Sequence, residues 1–212
     1  MKARRADTPQ MKDLRNLLTN YSKLGMADWG KATQAEKQAT TTLLKNRIVA
    51  DHELATTIND IGTGADTARF IPMPLIGHSK ALRRCFFALH RTTQDPASMC
   101  FDLLLCIDDD TRLAFRFEPP DLPGWAHSYR HVQMSRRMLR RTFDVSLPPW
   151  IPESFPAFPV RGSDPTEMFL TMLASVHGLG TSDGVREVLQ NAFPNNSLAS
   201  QRYFERLTSS LA

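Results

Sequence analysis

Apolar side chains recur at helical spacing near the start of the chain. The first stripe consists of Met11, Leu14, Leu17, Leu18, Tyr21 and Leu24. It predicts an amphipathic helix that ends near Gly25, because glycine commonly follows the last turn of a helix. Thr33 and Glu36 have the spacing of a capping box, which predicts the start of a second helix that continues to Ile58. Together the two helices predict an N-terminal helical hairpin over residues 1–62.

From this point the pattern becomes that of β-strands. Residues 69–76 are apolar, but Pro72 and Pro74 have no amide donor, so this segment is predicted to be an edge strand or an extended arm. Further strands are predicted at residues 85–90, 98–107, 113–117 and 127–134. Because Leu113 and Phe117 alternate with polar side chains, we expect an antiparallel meander that leaves one face of the sheet open to solvent.

The last third of the chain returns to helical patterns. Asp164 and Pro165 are suited to the cap and the first turn of a helix that is predicted to end at Gly178. Asp183 is predicted to cap a second helix of this region, and Ser197 to begin a third.

This order of elements predicts an α+β fold. We expect an antiparallel sheet of about four to five strands, with the C-terminal helices packed on it and the N-terminal helical hairpin beside it. The predicted division is a helical hairpin at residues 1–62 and an α+β core domain at residues 63–212. Whether the hairpin joins the core or contacts another molecule stays open at this point.

The composition indicates a chain that can bury a core, since 42% of its 212 residues are hydrophobic and 23% are charged. The uncharged apolar runs, such as residues 103–107, are far shorter than the roughly 20 residues of a membrane-spanning helix. No apolar signal-peptide segment follows the charged N-terminus. Three cysteines without metal-binding spacing argue against a disulfide framework. These features predict a cytoplasmic protein without a membrane partner.

Positive charge is concentrated in one short stretch. The chain has 26 Lys and Arg against 22 Asp and Glu, a net charge of +4, and four arginines fall within six residues. These are Arg136, Arg137, Arg140 and Arg141. Such a run is either a solvated face or a surface that binds phosphates or carboxylates. Trp150 and Phe155, in the proline-rich segment 147–159, are candidates to stack on bases or to be buried in a partner.

A second candidate site contains two histidines. In a strand, His127, Tyr129, His131 and Gln133 would point to the same face. His127 and His131, with Gln133, would then form an acid-base site for phosphodiester or RNA hydrolysis. The alternative is that these side chains have a structural role and bond to nearby loops. Ser128 occupies the position of the glutamate in a zinc-protease motif, which excludes that class of enzyme.

The remaining reactive side chains favour structural roles. Asp102 lies inside an apolar strand, and we favour its pairing with Arg112 or Arg116 over a nuclease-like carboxylate pair with Glu118. The cysteines are predicted to be small buried apolar residues, and they are Cys85, Cys100 and Cys106. The sequence contains no Walker loop, nucleophile elbow or histidine triad, so no cofactor and no metal site is predicted.

Residues 100–178, a little over a third of the chain, carry several short motifs: Arg-Phe-Glu, His-x3-His-x-Gln, Phe-Pro-Ala-Phe-Pro and Phe-Leu-x-Met-Leu-Ala-Ser. This region resembles uncharacterised bacterial proteins encoded with mobile elements, toxin-antitoxin pairs or phage-defence operons. The resemblance implies a protein that works beside others. We therefore expect a binding subunit that engages nucleic acid or a larger protein, with the histidine-dependent hydrolase as the alternative. The oligomeric state stays open.

Overall fold

The computed structural model describes residues 8–60, 69–75, 84–91, 98–106, 112–120, 129–139, 143–145, 157–162, 164–179 and 184–211. These residues form the α-helices α1 (Pro9–Gly30), α2 (Gln34–Leu43), α3 (Leu54–Asp60), α4 (Pro165–His177), α5 (Val185–Ala192) and α6 (Ser197–Leu211). A short 3-10 helix, Asp51–Glu53, precedes α3. Helix α1 begins as its sequence indicates, because the Thr8 side chain accepts a hydrogen bond from the amide of Met11 and a proline occupies the first turn.

The strands form one large sheet and one small ribbon. They are β1 (Ile71–Pro72), β2 (Arg84–Arg91), β3 (Met99–Cys106), β4 (Arg112–Glu118), β5 (His131–Met134), β6 (Arg137–Met138), β7 (Phe143–Asp144) and β8 (Phe158–Pro159). The sheet has the order β1-β2-β3-β4-β5-β8 with antiparallel pairs throughout. Strands β6 and β7 pair only with each other among the described residues, and we call them the ribbon.

This topology confirms the α+β class and the antiparallel meander, but the predicted count of four to five strands is too low. The described sheet has six strands, and the ribbon adds two. The additional strands are two residues long and lie in segments that the sequence marks by other features. Strand β8 falls in the proline-rich segment, β6 falls in the arginine run, and β7 follows that run. The prediction of an edge strand near Pro72 is confirmed, since β1 lies at one end of the sheet.

Both faces of the sheet are covered near its centre, which corrects the expectation of one open face. Residues opposite each other in neighbouring strands share a face. On the face we call the helical face, Phe87, Leu103 and Phe115 align across β2, β3 and β4. On the other, which we call the ribbon face, Phe86 and Leu104 belong to a second buried cluster that includes side chains of the ribbon. The reason is that β2 and β3 are apolar on both sides, as in a strand between two layers.

Helix α1 packs into the core on the helical face. Its Leu17 and Leu18 are fully buried, and the Tyr21 ring contacts the rings of Phe87 and Phe169. The Tyr21 hydroxyl lies 2.8 Å from Nε2 of His177 in α4. Burial, with a contribution from Cys85 nearby, raises the pKa of Tyr21 well above its ordinary value. These contacts show that α1 joins the core, which the sequence left open. The division into domains at residue 62 stays a prediction.

The second predicted helix is interrupted, which corrects that expectation. Its capping box is confirmed by reciprocal bonds between Thr33 and Glu36. However, α2 ends at Leu43, and Lys45 and Asn46 follow with left-handed φ angles of 51° and 58°. The chain then runs extended alongside residues 69–71 before the 3-10 helix begins. Asparagine tolerates the left-handed conformation better than most residues, which explains where the helix stops.

Helix α4 has the predicted start and end. The Asp164 side chain accepts hydrogen bonds from the amides of Thr166 and Glu167, and Gly178 ends the helix with φ of 75°. Arg206 of α6 forms ion pairs with both Asp164 and Glu167. These pairs join the first turn of α4 to the C-terminal helix.

Of the two last helices, α5 has a different N-cap from the predicted one, and α6 begins where predicted. Gly184 occupies the N-cap of α5, whereas the predicted cap, Asp183, lies outside the described residues. Helix α6 begins at Ser197 as predicted. The side chain of Asn196 accepts a hydrogen bond from the amide of Ala199 and so caps this helix.

Helix α1 continues past Gly25, the residue at which the sequence predicts its end, because this glycine has a packing role inside the helix. A methyl group at Gly25 would overlap the main-chain carbonyl of Pro72 in β1, so glycine at this position lets strand and helix approach closely. We expect Gly25→Ala to destabilise the protein by about 1–3 kcal/mol, because backbone would have to shift. Gly30→Ala is the matched control, since nothing lies within 4 Å of the added methyl. Its expected effect is neutral or up to about 1 kcal/mol stabilising. Urea unfolding of both variants checks this, and equal effects would contradict the close-approach explanation.

Candidate functional site

Two arginines of the arginine run are exposed, Arg137 in the ribbon and Arg136 directly before it. In the ribbon Arg137 pairs with Asp144 and Met138 pairs with Phe143. Met138 and Phe143 are buried against the sheet, so the alternation of a strand directs Arg137 outward. Its side chain is 63% exposed, and its Nε lies 3.5 Å from Asp144 Oδ1. Arg136 is also exposed.

Apolar contacts fix the inner side of the ribbon. Leu139 and Val145 are buried in the same cluster as Phe143. The Phe143 ring meets the Phe70 ring edge to face, with centroids 5.1 Å apart. The amide of Val145 donates to the carbonyl of Arg136 at 2.7 Å. The ribbon therefore presents its charged side from a packed support.

Lys45 adds a third positive charge beside the ribbon. Its ammonium group lies 5.8 Å from the centroid of the Phe143 ring, within the range of a cation-π contact. Lys45 is exposed and belongs to the left-handed turn that follows α2. We call Lys45, Arg136 and Arg137 the basic surface. The sequence pattern predicts a continuous helix at Lys45 and so does not indicate this charge, although Asn46 is a residue type that tolerates such a left-handed turn.

The other predicted binding residues are not tested. Arg140 and Arg141 fall between β6 and β7 in the sequence, and both lie outside the described residues. Trp150 and Phe155 also lie outside them. Their roles in binding stay predictions.

Asp102 lies fully buried beneath the ribbon. Its Oδ1 accepts a hydrogen bond from Arg116 Nε at 3.0 Å, which confirms the predicted pairing with that arginine. Its Oδ2 accepts a hydrogen bond from the amide of Leu139 at 2.7 Å. Nδ1 of His90 lies 3.7 Å from the same oxygen. Asp102 therefore joins β3, β4 and the end of the ribbon strand β6.

Arg116 contacts a second carboxylate as well. Its NH1 lies 3.6 Å from Glu118 Oε1, and its NH2 donates to the carbonyl of Arg137. Burial opposes the charge of Arg116, but the carboxylates of Asp102 and Glu118 outweigh this effect and raise the pKa of the guanidinium. The two carboxylates that resembled a nuclease pair thus share one arginine.

The described part of the histidine site is an internal network. Glu118 accepts from Gln133 Nε2 at 2.5 Å and lies 3.3 Å from His131 Nε2. His131 Nδ1 lies 3.1 Å from the carbonyl oxygen of Tyr129. Both neighbours are acceptors, so the ring can donate to both only when each nitrogen carries a proton. His131 is only 1% exposed.

The structure thus places His131 and Gln133 together around Glu118, in the pairing of β4 with β5. His127 lies outside the described residues, so an acid-base pair of histidines stays a prediction. The geometry of His131 is that of a side chain that links strands. Sequence reasoning missed Glu118 as its partner because the register of β4 against β5 was not known.

The cysteines are buried, as predicted. Burial raises the pKa of Cys106 to about 11 and that of Cys85 further above its ordinary value. The Cys100 thiol lies 3.7 Å from the carbonyl oxygen of Ser98. A thiol is a nucleophile only as thiolate, so this environment does not favour cysteine chemistry.

Other classes of site are not represented in the ranges described. Within them, no group of three or more His, Cys, Asp or Glu side chains is arranged to hold a metal ion. No helix in these ranges combines the length and apolar character needed to cross a membrane. We found no protein-family model, no curated protein and no solved structure that matches the chain.

Proposed function

We propose that the protein is a binding subunit that engages nucleic acid through the basic surface of Lys45, Arg136 and Arg137. The observation that supports this proposal is the construction of the ribbon, whose apolar side is buried while Arg137 in it and Arg136 directly before it are exposed. Arginines on a packed support can neutralise phosphates without first becoming ordered. Arg140 and Arg141 follow closely in the sequence and stay predicted binding residues.

Nucleic acid is favoured over a protein partner by what surrounds the basic surface. The large hydrophobic side chains that are exposed in the described residues are Tyr129, Phe158, Leu179 and Leu198. They belong to neither the ribbon nor the turn that carries Lys45. Protein interfaces usually have an apolar, desolvated centre, whereas nucleic-acid interfaces are polar and positively charged.

The alternative of a hydrolase receives less support. It needs His131 as acid or base, yet that side chain is buried and contacts two oxygens. A general acid or base must reach the proton that it transfers. The hydrolase, the cytoplasmic location and the resemblance to defence-operon proteins stay predictions.

The proposal is tested by removing the two ribbon charges. We expect Arg136→Gln with Arg137→Gln to raise the Kd for a short fluorescent RNA or DNA at least about tenfold, because charge-assisted contacts to phosphates are lost. The slope of log Kd against log salt should decrease by about two, one for each phosphate contact. Fluorescence anisotropy with single-stranded RNA, single-stranded DNA and duplex DNA measures both quantities.

The matched control removes two charges elsewhere. Lys12 and Lys23 are exposed on α1, so Lys12→Gln with Lys23→Gln changes the net charge equally. We expect this control to leave Kd nearly unchanged. Equal weakening by both double variants would show that only net charge matters and would contradict a specific surface. A protein partner that is captured after nuclease treatment and lost in the ribbon variant would replace the nucleic-acid proposal.

A further inference from the structure

The ribbon contains a conformation that needs support. Leu139, at the end of β6, has a φ of 50°, in the left-handed region that residues other than glycine, asparagine and aspartate seldom adopt. Its side chain is buried and its amide donates to Asp102 Oδ2 at 2.7 Å. This contact to a fully buried carboxylate holds the main chain at Leu139, directly after β6.

A second contact to the ribbon also depends on Asp102. The NH2 group of Arg116 donates to the carbonyl of Arg137, while its Nε donates to Asp102 Oδ1. Ser135, whose amide donates to the carbonyl of Ala114 in β4, donates through its hydroxyl to the same Arg137 carbonyl at 2.6 Å. Arg116 is oriented by Asp102, so two of the polar contacts that hold the main chain of β6 lead to one carboxylate.

From these contacts we infer that Asp102 is a positioning residue for the basic surface. Its two carboxylate oxygens hold the ribbon in the conformation that presents Arg136 and Arg137 to a phosphate backbone. This inference rests on the proposed function, since it names the group that fixes the binding conformation. Asp102 is fully buried, so it acts through the ribbon and does not touch the nucleic acid.

The variant that tests this role is Asp102→Asn. An asparagine has one acceptor oxygen, so it can bind the amide of Leu139 or Nε of Arg116, but its NH2 group then faces the other donor. We expect faster hydrogen exchange in residues 135–145 than in the wild type. If the ribbon then holds its binding conformation about a tenth of the time, the Kd for RNA or DNA rises about tenfold. The slope of log Kd against log salt should stay at the wild-type value, because the bound ribbon makes the same phosphate contacts.

A matched control separates positioning from loss of stability. Asp164→Asn makes the same chemical change at another aspartate that pairs with an arginine. Asp164 caps α4, and its partner Arg206 lies in α6. Asparagine is also a good N-cap, so α4 keeps its start. We expect this variant to melt at a lower temperature than the wild type while its Kd, its salt slope and the exchange of residues 135–145 stay unchanged.

A milder variant covers the case in which Asp102→Asn does not fold. Arg116→Lys keeps a positive charge beside Asp102, but a single ammonium group cannot reach both Asp102 and the Arg137 carbonyl with the geometry of a guanidinium. We expect a smaller change of the same sign in ribbon exchange and in Kd. Both variants are measured at a temperature at which circular dichroism shows them folded.

The outcomes distinguish the two proposals. If the wild type binds nucleic acid but a folded Asp102→Asn variant has the wild-type Kd, the inference is wrong and the proposed function stands. If the wild type binds none of the nucleic acids, the proposed function is wrong. Hydrogen exchange then decides on Asp102 alone: faster exchange confined to the ribbon supports its positioning role, and unchanged exchange overturns it.

Discussion

Replacing Phe169 by alanine is expected to lower the free energy of unfolding by about 3–5 kcal/mol. Phe169 lies on α4, is fully buried, and contacts three aromatic rings from three different elements. The ring centroids of Tyr21, Phe87 and Phe101 lie 5.6, 5.3 and 5.3 Å from its own. The substitution removes these contacts and leaves a cavity between α4 and the sheet. Neither element can move far enough to fill it. Urea unfolding followed by circular dichroism measures the change.

The control for this prediction is Phe158→Ala in the edge strand β8. It deletes the same atoms, but its side chain is 50% exposed, so we expect a loss below about 1 kcal/mol. A loss for Phe169→Ala that is no larger than the loss at Phe158 would contradict the burial of Phe169 among the three aromatic rings.

The second large effect concerns the buried charge pair of Asp102 and Arg116. We expect Asp102→Val to cost about 3–5 kcal/mol, because the guanidinium of Arg116 stays in a largely buried site and, among the described residues, keeps only Glu118 as a carboxylate partner. Adding Arg116→Met should recover much of this loss, since an apolar pair of similar volume often replaces a buried ion pair without cost. The amide of Leu139 still loses its acceptor, which leaves a deficit of about 1–3 kcal/mol.

This prediction is checked by unfolding the single and double variants side by side. The difference between them measures the penalty of an unpaired buried charge. If the double variant is no more stable than Asp102→Val, the loss comes from the ribbon contact and not from Arg116. The result therefore separates the pairing of Asp102 with Arg116 from its hydrogen bond to the amide of Leu139.

Local signals in the sequence predicted much of the fold. The cap at Asp164, the capping box at Thr33 and the end of α4 at Gly178 depend on residues within one turn of each other, and the structure has them as predicted. The antiparallel order of the strands also follows from short connections. The interrupted second helix and the ribbon were missed, because contacts from distant parts of the chain stabilise them.

The candidate site shows the same limit. The charge of Arg136 and Arg137 is visible in the sequence, and the cost of a buried carboxylate predicts a basic partner for Asp102, which the structure shows to be Arg116 out of the candidates Arg112, Arg116 and a nearby lysine. That Lys45 lies on Phe143, or that Asp102 bonds to the amide of Leu139, depends on residues far apart in the chain. Composition and periodicity describe single elements, and these contacts arise only when elements pack.

The two ends of the sheet have a further consequence for how the protein behaves at high concentration. The terminal strands β1 and β8 are each only two residues long, and each contains a proline, Pro72 and Pro159. A proline offers no amide to a neighbouring strand, and a short edge gives an incoming chain little to bind. The described sheet is thereby protected at both ends against growth into fibrils, so crowding should not drive copies of this chain to polymerise strand by strand.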